Sequence, residues 1–164
     1  MDKYYYLISQ LPTLFFDREA GMTLDAFFAE ARKWLTARDL QRLQQVDMND
    51  TGLARDPGVL GNYKRFEDAL RRDLAGWRRA RAGATEYSLP PHLNAIVKEG
   101  NPLDIEKKLL RLRWQFIEEM EREHHFDLAF LILYVLKLQI LTRLSIFDEE
   151  KGLSAFKKIC EVSL

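Results

Sequence analysis

Residues 101–146 decide the fold, because NPLDIEKKLLRLRWQFIEEMEREHHFDLAFLILYVLKLQILTRLSI predicts two long antiparallel helices. Asn101 is a good N-cap, and Pro102 suits the first turn of a helix. The first helix is expected to run to about Glu123, after which Asp127 caps an apolar helix that reaches Ile146. Helical spacing places the buried stripe of the first helix at Ile105, Leu109, Leu112, Phe116 and Met120, and Trp114 and Phe130 are also expected to be largely buried.

The remaining chain carries weaker helix signals of the same kind. Thr23, Thr36 and Asp148 are predicted N-caps, and Asp56-Pro57 is expected to open another helix. The additional predicted helices cover roughly residues 4–11, 24–35, 37–46, 57–82, 92–98 and 149–162. For residues 4–11 the alternation of Tyr4, Tyr6 and Ile8 suits a strand almost as well. The sequence therefore predicts one all-α domain, residues 1–164, whose helical bundle is dominated by the antiparallel hairpin of about residues 102–146. A Gly/Pro linker at residues 83–91 leaves open a division into sub-lobes 1–83 and 92–164.

Composition limits the classes of function. The 164 residues are 47% hydrophobic and 30% charged, with 25 basic and 25 acidic side chains. A balanced charge gives no global attraction to nucleic acid or an anionic membrane. Cys160 is the single cysteine, so we expect a reducing, cytoplasmic location, or a peripheral one on the inner face of a membrane. The longest apolar run, residues 128–136, is nine residues, which favours a buried helix over a membrane span.

Two short motifs suggest metal binding but lack the ligands to complete a site. Residues 47–52, DMNDTG, resemble the start of a calcium loop, yet Gly58 occupies the position of the closing bidentate glutamate. An Asx-rich turn is therefore the preferred interpretation. Glu121 and His124 have the Glu-x-x-His spacing of di-iron bundles, but no second copy exists in the sequence. We expect no metal, no cofactor and no enzymatic activity.

The one regular charge pattern is a series of basic pairs seven residues apart. On a helix these pairs lie away from the predicted apolar stripe and form a basic face, consisting of Lys64, Arg65, Arg71, Arg72, Arg78 and Arg79. This face is expected either to dock an acidic partner or to be neutralised by neighbouring carboxylates. Nucleic acid is the less favoured partner, because no aromatic residues alternate with these basic ones.

Three polar residues interrupt the most apolar helix: Lys137, Gln139 and Arg143. An unpaired buried cation is costly, so each side chain must find a partner in the chain, reach solvent or contact another subunit. Pairing within the chain and a subunit contact both remain open, and Lys137 and Arg143 are therefore candidate partner-binding residues.

Several segments resemble a bacterial family of unassigned function that is encoded beside subunits of V/A-type rotary ATPases. They are residues 3–12 (KYYYLISQLP), 101–107 (NPLDIEK), 124–127 (HHFD) and 134–138 (YVLKL). That family is similar to the C (or d) subunit of these ATPases, an all-helical adaptor between the central rotor stalk and the proteolipid ring, with no catalytic residues. Tyr134, Lys137, Arg143 and Leu144 resemble one helix of the adaptor, although Ile140 stands where a glutamate is expected.

The resemblance implies a non-catalytic subunit or accessory adaptor of a V/A-type ATPase, with the stalk and ring subunits as partners and no small-molecule substrate. The alternative is an unrelated helical interaction module that binds RNA, acidic lipid or an acidic protein through the basic face.

Overall fold

Seven α-helices build the structure. The computed structural model describes residues 3–50, 52, 57–83 and 85–162. The helices are α1 (Lys3–Gln10), α2 (Leu24–Trp34), α3 (Ala37–Gln44), α4 (Val59–Ala82), α5 (Pro91–Lys98), α6 (Pro102–Glu121) and α7 (Leu128–Val162). No strand occurs among the described residues. The predicted all-α bundle is confirmed, and its most extensive helix pair is the α6–α7 hairpin.

Side-chain caps mark the starts of four helices, α2, α3, α6 and α7. Four cap oxygens accept a hydrogen bond from the backbone N–H three residues later, which satisfies one of the otherwise unpaired N–H groups of the first turn. These caps are Thr23 (3.1 Å), Thr36 (3.2 Å), Asn101 (2.9 Å) and Asp127 (2.8 Å). Gly83 ends α4 as predicted. The predicted opening of α4 at Asp56-Pro57 is not observed, because α4 begins at Val59 after Gly58, whose φ of 93° suits glycine; Asp56 itself lies outside the described residues.

The core has two parts, and each takes residues from both sides of the linker at residues 83–91. The larger part lies around Leu7, Phe27, Tyr63 and α7. The smaller part joins α4 to α5 and α6 through Leu70, Leu74, Leu89, Leu93, Val97 and Leu109. The two halves of the chain are therefore packed together through α4 and α6.

One predicted helix break is wrong. Helix α7 runs without interruption through Ile146 and Asp148 for 35 residues. Asp148 caps no new helix; its carboxylate accepts a hydrogen bond from Lys107 of α6 at 3.1 Å. No glycine or proline stands between Leu141 and Lys151, and an aspartate within a helix costs only about 0.7 kcal/mol in propensity, so a favourable cap residue alone does not end the helix.

Helix α7 is also the one helix of the described chain that is long and apolar enough to cross a membrane. Of its most apolar 18-residue window, 56% is buried inside the bundle. Burial of this kind is expected for the central helix of a packed core, where all faces meet protein neighbours.

The buried face of α6 differs from the predicted stripe. Its fully buried residues are Leu109, Leu110, Arg113, Trp114 and Ile117. Phe116 and Phe130, both predicted to be largely buried, are only partly so, whereas Trp114 is buried as expected. The face is rotated because α6 packs against α7 on one side and against α4 and α5 on the other.

A buried ion pair joins α4 to α6. Glu67 is fully buried, and Arg113 donates to both of its carboxylate oxygens, from Nε at 2.8 Å and from a terminal nitrogen at 2.9 Å. Arg71, one turn along α4, donates a third hydrogen bond at 2.8 Å. Burial alone would raise the pKa of Glu67, but the bonds from the two arginines outweigh it and hold this pKa below its ordinary value. Glu67 is therefore ionised and fully paired inside the protein.

Glu67→Gln is expected to lower the free energy of unfolding by about 3–5 kcal/mol, because it leaves Arg113 as a buried cation without a counter-charge. Urea unfolding followed by circular dichroism measures the change. Asp68→Asn is the matched control, since Asp68 pairs with Arg72 in the same helix but at the surface; its cost should stay below about 1 kcal/mol. Equal losses in the two variants would contradict a structural role for the Glu67–Arg113 pair.

The stabilisation by Glu67 should also depend on pH. Because the pKa of Glu67 is lowered in the folded state, its ionic contribution is complete above the ordinary carboxyl pKa of about 4.3 and is lost as the pH falls through the lower folded value. The difference in unfolding free energy between the parent and Glu67→Gln should be constant near neutral pH and shrink toward about pH 3. A difference that grows as the pH falls would contradict a lowered pKa of Glu67 in the folded state.

Candidate protein interaction surface

The basic face of α4 is largely neutralised over its first half. Lys64 is half-buried and lies 3.0 Å from a carboxylate oxygen of Asp50. Arg65 bonds the side chain of Asn62, and Arg72 pairs with Asp68. Of the six predicted residues, these three and Arg71, which bonds Glu67, therefore make contacts within the chain.

The basic charge at the end of α4 is different. Arg78 and Arg79 are exposed, and within the part of the chain that the structure describes neither side chain makes a hydrogen bond or an ion pair. Arg81, in the same turn, places its guanidinium 5.3 Å from the centre of the Trp77 ring. Positive charge at a helix C-terminus is favoured by the helix dipole, so these arginines do not destabilise α4. The arginine end of α4, defined as Arg78, Arg79 and Arg81, is the part of the basic face open to a partner.

Lys137 does not lie on the surface. Its side chain is 7% exposed, its ammonium contacts the carboxylate of Glu121, and it stands 5.0 Å from the centre of the Trp114 ring. The prediction of Lys137 as a partner-binding residue is therefore corrected, because the α6–α7 hairpin itself supplies the carboxylate and the aromatic face that a buried cation needs.

Gln139 likewise pairs within the chain. Its amide nitrogen donates to the carbonyl of Val46 at 2.6 Å, and its amide oxygen accepts from the N–H of Met48 at 2.7 Å. These two bonds attach the segment after α3 to the centre of α7. The expected pairing of polar residues of this helix within the chain is thus confirmed for Lys137 and Gln139.

Arg143 remains accessible. It is exposed, and its guanidinium lies 4.7 Å from the centre of the Phe147 ring. It borders an open cavity of about 430 Å³ together with Arg113, Asp47 and Glu106. The cavity therefore presents both signs of charge and does not concentrate positive charge around Arg143.

The two candidate metal motifs are engaged in local structure. Asp47 and Asp50 each accept a hydrogen bond from the backbone N–H two residues later, at 2.8 Å in both turns. The predicted Asx turns are confirmed at Asp47 and Asp50. His124 contacts Asp127 at 2.7 Å and Glu121 contacts Lys137. In the described residues no three histidine, cysteine or acidic side chains are grouped to hold a metal ion.

Sequence reasoning missed two exposed apolar features. A row of ring contacts links Phe126, Tyr5, Tyr6 and Trp34, with centroid separations of 4.9, 5.9 and 5.5 Å. Near the end of α7, Leu153 is 56% exposed and Phe156 is 64% exposed. The helical spacing of Leu153 and Phe156 indicates an apolar face on the predicted final helix. Spacing alone does not tell whether the same chain covers that face.

Comparison with known proteins gives one match. No curated protein and no solved structure matches the chain. A model of a family described as a protein of unknown function, DUF2764, matches residues 80–162, which are 83 of the 164 residues. The match covers α5, α6 and α7, whereas most of α4 and its basic pairs precede it. The chain therefore belongs to the DUF2764 family of proteins of unknown function.

Proposed function

We propose that this protein is a non-catalytic accessory adaptor of a V/A-type rotary ATPase, which acts by packing between the central stalk and the membrane ring. The proposal starts from the resemblance of residues 3–12, 101–107, 124–127 and 134–138 to a family encoded with these ATPases. An adaptor of this kind needs a firm helical body and exposed surfaces for its neighbours, and it needs no reactive groups.

The observation that carries the proposal is that three of the resembling segments lie together. The hydroxyl of Tyr134 in α7 donates to the carbonyl of Pro12 at 2.7 Å. The ring of Tyr5 in α1 lies 4.9 Å from that of Phe126 at the corner of the hairpin. Residues that are 122 positions apart in the chain thus contact each other, which is expected if the resembling segments form the framework of one adaptor fold.

The arginine end of α4 is the proposed contact with an acidic surface of the ATPase. Charged groups that are exposed and lack a partner change the rate and strength of association far more than they change folding. The proposed contact also gives a role to the basic side chains at this end of α4, which pair with no carboxylate of the described residues, unlike Lys64 and Arg72.

The same arginines favour the alternative, an unrelated helical module that binds RNA, acidic lipid or an acidic protein. The test that separates the two is affinity capture of the tagged full-length protein from native membranes. Recovery of V/A-type ATPase subunits supports the adaptor. Recovery of RNA or lipid without these subunits contradicts it and supports the alternative.

Arg78→Glu/Arg79→Glu should weaken capture of the ATPase subunits at least about tenfold, because it opposes like charges at the contact. The melting temperature should remain close to that of the parent, since exposed substitutions away from internal contacts change stability by about 0.5 kcal/mol or less each. Binding of the parent should also fall as salt is raised, because exposed charges are screened over about 10 Å at 0.1 M salt.

The matched control is Arg32→Glu/Arg38→Glu, which reverses two other exposed arginines, on α2 and α3. If this variant loses ATPase subunits as strongly as Arg78→Glu/Arg79→Glu, net charge and not the arginine end of α4 controls binding. Arg71 is not a suitable site for such a reversal, because its side chain bonds the buried Glu67 and a glutamate there would destabilise the protein.

A further inference from the structure

The last part of α7 extends beyond the bundle, and no buried side chain occurs in it among the residues that the structure describes. Phe147 is the last buried side chain of the described part of the helix, and every described side chain from Asp148 to Glu161 is exposed. We refer to residues 148–162 as the distal segment of α7. A helix of this length has little stability of its own in water, and Gly152 lowers it further.

The distal segment nevertheless has an apolar face. Leu153 and Phe156 lie three residues apart on one side of the helix and are 56% and 64% exposed. Ile146, just before the distal segment and seven residues before Leu153, continues this side and is 40% exposed. This spacing is the one by which two helices pack along a shared seam. Adjacent exposed apolar side chains of this kind mark a surface that another molecule covers.

The charges beside the apolar face identify the occupant. Glu149 lies on that face before Leu153, and Lys157 lies at its edge after Phe156. Both side chains are exposed, and neither makes an ion pair within the described residues. Leu153 and Phe156 are therefore flanked by an acidic side chain before them and a basic side chain after them.

We propose that the occupant is a second copy of this chain, whose distal segment packs antiparallel against the first. In that arrangement Glu149 lies opposite Lys157 of the second copy, the two Leu153 side chains meet near the two-fold axis, and Phe156 packs beside Leu153 of the second copy. Two-fold symmetry repeats each contact, so the surface is complementary to itself. A parallel pair would instead place like charges together, which opposes association. The proposal does not depend on the ATPase assignment, because it needs only two copies of this chain.

The dimer should be weak and reversible. Fifteen helical residues extend about 22 Å, and two such helices bury less area than the roughly 1,200 Å² of a standard stable interface. Sedimentation velocity of the full chain over increasing micromolar concentrations is expected to show a monomer that converts to a dimer. A parent protein that stays monomeric throughout this range would overturn the proposal.

Charge reversal tests the antiparallel arrangement directly. Glu149→Lys and Lys157→Glu should each weaken self-association about tenfold or more, because each places like charges together twice in the dimer. An equimolar mixture of these two variants should recover association, since each glutamate then meets a lysine of the other variant. Failure of the mixture to associate better than either variant alone would overturn the antiparallel pairing.

A comparison of Phe156→Glu with Ser154→Glu tests whether the dimer needs the apolar face in particular or only an unaltered distal segment. Ser154 is exposed on another side of the same segment, so both variants add one negative charge to the same helix. Only Phe156→Glu should prevent dimer formation, at unchanged far-ultraviolet circular dichroism of the bundle. Loss of the dimer in both variants, or in neither, would overturn the assignment of this face to a second copy.

Discussion

The buried pair of Glu67 and Arg113 is the constraint on which the arrangement of the helices depends. A carboxylate with no exposure must have its charge matched, and Arg113 matches it with two hydrogen bonds of fixed geometry. Helix α4 can therefore rotate or slide only slightly over α6 before these bonds fail. In α4, Glu67 lies between Tyr63 of the larger core and Leu70 of the smaller core. The position at which α4 packs against α6 is therefore the same constraint for both cores.

The same pair organises the outer surface of α4. Arg71 turns toward Glu67, and the neighbouring Asp68 pairs with Arg72, so the middle of the basic face is neutralised. Toward the end of the helix no buried carboxylate attracts the side chains, and Arg78 and Arg79 extend into solvent. The core needs a counter-charge for Glu67, and this need draws Arg71 inward. The positive charge available to a partner is therefore found at Arg78 and Arg79.

Local signals in the sequence were sufficient for four helix starts, because Thr23, Thr36, Asn101 and Asp127 act on their own first turns. The sequence was not sufficient to predict which polar side chains are buried, because tertiary packing decides this. Arg113 and Lys137 are buried because distant residues, Glu67 and the ring of Trp114, meet them in the fold, and composition cannot indicate such partners. Helix α7 continues past Asp148 because a residue that favours an N-cap is also tolerated inside a helix, and no glycine or proline stands between Leu141 and Lys151. The exposed Leu153 and Phe156 have the pattern of a core face, and only the fold shows that the chain leaves them uncovered.

The continuity of α7 determines what binding at its end can do. Its 35 residues extend about 52 Å as one helix, whose first half is fixed in the core through Tyr134, Lys137 and Gln139. A molecule that covers Leu153 and Phe156 is therefore held in a defined direction relative to the bundle, since no loop intervenes to absorb motion. Two ligands of this one face must also exclude each other. If a second copy covers it, an ATPase subunit that needs the same residues binds only after the dimer separates, and its apparent affinity falls as the concentration of the chain rises. The arginine end of α4 lies on a different helix, so an acidic partner bound there requires no such separation. If both proposals hold, an acidic partner can bind the arginine end of α4 whether or not the distal segment of α7 is paired with a second copy.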